Sequence, residues 1–107
     1  MTPPRNLFAA LPARPEAEAV EALIETGALR LERIVSLGQS TGWLEQDRPE
    51  WVLLVSGAAR LEFADGAVVA LGPGDCLDIP ARCRHRVQWT DPERPSLWLA
   101  LHYRQAL

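Results

Sequence analysis

The chain has 107 residues and a mass of 11.9 kDa, enough for one compact domain with a real core and too little for two. Its composition, 48% apolar and 23% charged, is that of an ordinary globular protein, and a net charge of -3 argues against binding a phosphate backbone, which needs an excess of basic side chains on one face. The N-terminus lacks a signal-peptide pattern and no stretch approaches the ~20 apolar residues that span a bilayer, so the expectation is a cytoplasmic protein with no nucleic-acid or membrane partner.

Residues 1–14 hold three prolines and no sustained periodicity, which predicts an extended arm preceding a single domain over 15–107. In that domain, Pro15 at a first helical position, acidic residues in the first turn and Gly27 just beyond predict a short helix over 15–26, with Val20, Leu23 and Ile24 on its apolar face. Everything after Gly27 reads as short strands, at 28–36, 41–46, 50–56, 58–63, 67–71, 75–79, 84–89 and 96–104. Eight strands separated by close, regular turns mean a sandwich or a barrel. Asp65-Gly66 signals a two-residue hairpin whose central positions both want positive φ. Gly72-Pro73-Gly74-Asp75 and the stretch from Asp91 to Pro95 supply the next breaks.

Side-chain alternation then groups the candidates for chemistry. Residues two apart on a strand share a face, so Glu50, Val52 and Leu54 form one row and His85, Val87 and Trp89 another, both directed inward. A carboxylate buried on such a row costs several kcal/mol unless it is paired, so Glu50 requires a cation, an arginine or a histidine as partner. Trp51, Leu53 and Val55 form the opposite, outward row, which is costly to expose in a monomer and predicts a homodimer. All eleven basic residues are arginine, so a catalytic lysine is excluded. Cys76 and Cys83 are too few for a disulfide framework and are expected as thiols.

Two spaced patterns run through this region: Gly38-x5-Leu44-x-Gln46-x3-Glu50-x6-Gly57 and Gly74-x5-Pro80-x4-His85. They resemble the motifs of cupins, G-x5-H-x-H-x3,4-E-x6-G and G-x5-P-x-G-x2-H-x3-N, with Leu44 and Gln46 where the first motif has its two histidines and Arg82 where the second has a glycine. The resemblance, to small single-domain cupins of the RmlC-like kind, implies an all-β fold: a double-stranded β-helix, or jelly-roll barrel, here with the short N-terminal helix. It also implies a site inside the barrel. Glu50 and His85 match family metal ligands, and Gln46 offers only a neutral amide oxygen, a much weaker donor than imidazole. The ligand set is therefore Glu50, His85 and Gln46 around one divalent ion (Fe, Mn, Ni or Zn), with a metal-free pocket equally open.

The functional expectation is a cupin that binds a small polar or anionic metabolite, as a metal-dependent isomerase, lyase or dioxygenase, or with Glu50 and His85 as an acid–base pair. The alternative is a binding or sensor module without catalysis. Arg82, Arg84 and Arg86 flank Cys83 and His85. Arg82 and Arg86 are candidates for gripping an anionic ligand because guanidinium groups bind such groups bidentately. Cys83 and Trp89 join them as candidate pocket residues. His102, alternating with Trp98 and Ala100, is read as a packing or hydrogen-bonding residue.

Overall fold

The computed structural model describes residues 2–105; Met1 of the expected arm and Ala106 and Leu107 of the expected domain lie outside them. Eight strands among these residues form two antiparallel sheets. They are β1 (Ala19–Glu25), β2 (Leu29–Ser36), β3 (Glu50–Ser56), β4 (Ala59–Phe63), β5 (Val68–Leu71), β6 (Cys76–Ile79), β7 (His85–Thr90) and β8 (Ser96–Tyr103). One sheet has the order β1-β2-β8-β3-β6 and the other β5-β4-β7. Chain neighbours often lie apart in a sheet, as a jelly roll requires. Among the described residues no helix is long and apolar enough to cross a membrane.

The core lies between the sheets, built from Val52, Leu54, Ala59, Leu61, Leu71, Ile79, Trp98 and Ala100. Its members on β3 and β8 are each two residues apart, the period-2 pattern of strands with one face buried. On β3, Glu50 continues the inward row of Val52 and Leu54, and on β8, His102 continues that of Trp98 and Ala100. Each apolar row thus ends in a polar group at one mouth of the barrel.

The expected helix over 15–26 is absent. Residues 19–25 are an edge strand, antiparallel to β2 from Ala19↔Val35 to Glu25↔Arg30. Alanine and glutamate are good helix formers, but intrinsic propensity is a weak influence that a full ladder against β2 overrides. A register shift between Ala22 and Ile24 breaks the alternation, which is why apolar positions here mimic a helical stripe.

Strand 41–46 also shrinks, to a single bridge in which Leu44 and His85 exchange backbone bonds of 2.7 and 3.0 Å. The turn at Asp65-Gly66 is where it was expected but has one residue more. Gly66 N–H closes a turn onto Phe63, Phe63 N–H donates to Ala67, and only Gly66 has positive φ (93°). This is a three-residue loop with its left-handed position at glycine. Among the described residues Cys76 and Cys83 are free.

Candidate functional site

A cavity of about 190 Å³ opens between the sheets, and the inward rows carry a polar cluster into it. Strand pairing explains the cluster. Glu50 on β3 lies directly across from His102 on β8, and Glu32 on β2 faces Ala100, two residues along β8 from His102. His102 Nε2 is consequently 3.0 Å from Glu32 Oε1 and 3.1 Å from Glu50 Oε2. Since ionised carboxylates only accept, the imidazole N–H donates to them. Arg30 Nε pairs with the other oxygen of Glu32 at 2.8 Å.

His85 reaches the cavity from the opposite sheet and is 3% exposed. Its Nδ1 is 2.8 Å from the Cys83 carbonyl, an acceptor only, so Nδ1 carries a proton, and a ring without a second proton presents its lone pair at Nε2. That Nε2 lies 3.9 Å from Glu50 Oε1. Glu50 therefore stands between two imidazoles. Burial pushes its pKa above the usual carboxylate value and the charge of Glu32 adds to this, while His102 and His85 pull it down. Glu18, just before β1, also lines the cavity. Its pKa is raised, first by burial and then by the charges of Glu32 and Glu50, with the nearby Ser36 hydroxyl acting the other way.

Two buried polar atoms at the cavity have no partner among the described residues. Gln46 Oε1 accepts no hydrogen bond, and Nε1–H of Trp98, a residue only 4% exposed, donates none. Such atoms cost about 1–3 kcal/mol each when left unsatisfied. Water or a ligand in the cavity is the natural partner.

The sequence-derived candidates divide. Glu50, His85 and Gln46 meet at the cavity. Trp89 does not, which corrects its grouping with His85 and Val87. In the β4–β7 ladder Leu61 pairs with Val87 and Arg60 with Trp89, so Gln88 bulges out and every later residue of β7 switches face. Trp89 instead lies under the Arg60 guanidinium at 4.5 Å. Nor do Arg82 and Arg86 line the cavity. Arg86 pairs with Glu62 and stacks on Trp43 at 4.8 Å, while Arg82 is exposed, its N–H donating to the Gln46 carbonyl at 2.6 Å. Cys83 packs at the rim of the core, and its carbonyl rather than its thiol serves the site.

Three cavity carboxylate or imidazole groups were not expected from the sequence: Glu18, Glu32 and the site role of His102. For His102 the signal was its alternation with Trp98 and Ala100. For Glu32 it was a carboxylate on the same strand face as Ile34. Neither β1 nor its partner register was legible, so Glu18 gave no signal.

The donors do not fit a tightly held transition metal. Leu44 puts hydrocarbon at the cavity wall, and the Glu50 and His102 atoms that would turn to an ion are bonded to each other. Among the described residues no group of three or more His, Cys, Asp or Glu is arranged to hold a metal.

Two facing antiparallel sheets in jelly-roll order, with a polar cluster at the end of their inward rows, place the molecule in the jelly-roll class. The cupin domain family model matches residues 33–102, more than half of the chain, and the chain belongs to that family. A "putative mannose-6-phosphate isomerase" from Ralstonia eutropha JMP134 is 42% identical, with 97% of this chain and 100% of that one covered and a TM-score of 0.91. A cupin superfamily protein from Desulfitobacterium hafniense DCB-2 shares the fold at 21% identity, with 98% and 94% covered and a TM-score of 0.82. An RmlC-like cupin from Methanocaldococcus jannaschii does so at 15% identity, with 83% and 82% covered and a TM-score of 0.70. No curated protein matches.

Proposed function

We propose that the barrel binds a small polar molecule against Glu50, and that Glu50 and His85 move a proton on it. The observation that carries this reading is the placement of Glu50. Its side chain is 13% exposed, it lies at the cavity between His102 Nε2 and His85 Nε2, and burial raises its pKa toward the range where a carboxyl group serves as both base and acid. As carboxylate, Glu50 takes a proton from an acidic C–H or O–H of the ligand. The proton then returns from Glu50 to a neighbouring ligand atom, or passes to the lone pair of His85 Nε2. His102 holds the carboxylate in place, and the Cys83 carbonyl fixes the tautomer of His85.

A proton shift between adjacent carbons is the chemistry of aldose–ketose isomerisation, and the printed name of the Ralstonia eutropha relative supports that reaction type. Recognition of a phosphate inside the cavity has no support, since no arginine lines it. The competing reading is a binding or sensor module that uses the same residues without proton transfer. It is favoured by the hydrocarbon of Leu44 at the wall and by the mutual satisfaction of Glu32, His102 and Glu50. The reading also includes a homodimer through the outer face of the larger sheet.

The test combines ligand-observed NMR against a panel of small polyols, hydroxy-carbonyl compounds and amino compounds with deuterium incorporation from D2O into whatever binds. Binding together with deuteration that Glu50→Gln abolishes supports proton transfer. Binding without deuteration in the wild type selects the sensor reading. Binding unchanged in both Glu50→Gln and His85→Ala overturns the site.

A further inference from the structure

The charges around the cavity do not balance. Three carboxylates line it, Glu18, Glu32 and Glu50, with two imidazoles and no guanidinium. Glu32 has Arg30 and His102 as partners, and Glu50 has His102 and His85. Glu18 has no ion-pair partner among the described residues and only the Ser36 hydroxyl as a polar neighbour, although it is half-buried and close enough to Glu32 and Glu50 for their charges to act on it. A half-buried carboxylate in such company is relieved either by a proton or by a positive counter-charge, and at neutral pH a cation serves it better than a neutral group. An anionic ligand would face three like charges, and a neutral one would leave Glu18 as it is.

The unpartnered groups point independently to the rest of the ligand. Nε1–H of Trp98 needs an acceptor and Gln46 Oε1 needs a donor. A hydroxyl group offers both. The cavity of about 190 Å³ suits a compact molecule.

The geometry points to a small hydroxylated amine as the ligand, with its ammonium group held by Glu18 and its hydroxyls meeting Trp98 Nε1 and Gln46 Oε1. This rests on the reading that the barrel binds a small molecule, and it names the class. Glu18 immediately precedes the edge strand β1, so it meets the cation at the cavity rim while the more deeply buried Glu50 and His85 face the hydroxyl-bearing carbons. Glu18 thereby sets ligand charge and takes no part in proton transfer.

Three probes of equal heavy-atom count separate the possibilities: 3-amino-1,2-propanediol, glycerol and lactate, with n-butylamine as a cation lacking hydroxyls. They are titrated into 15N-labelled protein, wild type and Glu18→Gln, and followed at the Trp98 indole and Gln46 amide resonances. The amine diol is expected to bind at least ten-fold more tightly than glycerol or n-butylamine, and lactate to cause no shifts. Glu18→Gln is expected to remove that ten-fold advantage and leave glycerol unchanged. Glycerol or lactate matching the amine diol in the wild type overturns the proposal while the binding reading stands. So does an amine affinity indifferent to Glu18→Gln. Equal binding of n-butylamine overturns the hydroxyl part. No shift with any probe overturns both the proposal and the binding reading beneath it.

Discussion

Glu18 and Arg82 each sit in a conformation or environment that the fold itself does not favour, and both positions adjoin the site. For Glu18 the folded pKa is raised, so between about 4.5 and that higher value the folded state binds more protons than the unfolded one. Stability contributed by this group is therefore lost as pH rises through that window. Glu18→Gln should raise the melting temperature at pH 7.5 by about 2 °C, with the gap to wild type closing by pH 4 in calorimetric scans. A gain confined to neutral pH, from removing one surface-proximal carboxylate, is the pattern of a residue retained for function at a cost in stability. Arg82 has φ 62° where the related motif has glycine. An L-residue pays about 1–2 kcal/mol for that region, partly offset by the extra freedom glycine has when unfolded. Arg82→Gly should accordingly stabilise by roughly 0.5 kcal/mol in urea denaturation, whereas Arg82→Ala should give no gain.

At the level of elements, turns and bulges decide what the strands present. Gly57 joins β3 to β4 with φ 99°, and a Cβ there would come within 2.3 Å of Ser96 Oγ and 2.5 Å of its Cα. Gly57→Ala meets both strain and backbone collision, so a loss of at least about 2 kcal/mol is expected in denaturant unfolding. Unchanged stability would show that the β3–β4 connection relaxes in solution. This glycine was legible in the sequence because motif spacing marks a backbone requirement. The inward rows through Glu50 and His85 were legible for a related reason: uninterrupted alternation transmits a face assignment along a strand. Trp89 was misplaced because the bulge at Gln88 leaves no compositional mark, and a single extra residue reverses the row beyond it. The strand at 19–25 was hidden by residues that favour helices, because its pairing with β2 is a tertiary fact. With β1 unseen, the wall of the cavity that carries Glu18 was unseen as well.

For the whole molecule the open question is what covers the outer face of the five-stranded sheet. Near β2 the N-terminal arm does so: Arg33 donates to the Leu7 and Ala9 carbonyls at 3.0 and 2.7 Å, and Val35 beneath is 2% exposed. Across β3 and β8 the arm gives no such cover, and Trp51, Leu53, Val55, Leu99 and Leu101 remain only half-buried. Alternation places Trp51, Leu53, Leu99 and Leu101 on the outward side, because Glu50, Val52, Trp98 and Ala100 occupy the cavity side, and Val55 follows them at the register shift after Leu54. Together they form a contiguous apolar band of the kind that soluble monomers seldom leave open. A two-fold contact would set the same band against itself, burying both copies at once. The expected outcome is therefore a species of twice the 11.9 kDa chain mass in sedimentation velocity at low micromolar concentration. Leu53→Glu, which puts a carboxylate in the middle of the band without touching the cavity row, should convert it to monomer and leave the far-UV spectrum intact. A wild-type monomer at that concentration would mean that the half-burial seen in the single chain is sufficient, and the outer face would then set no assembly.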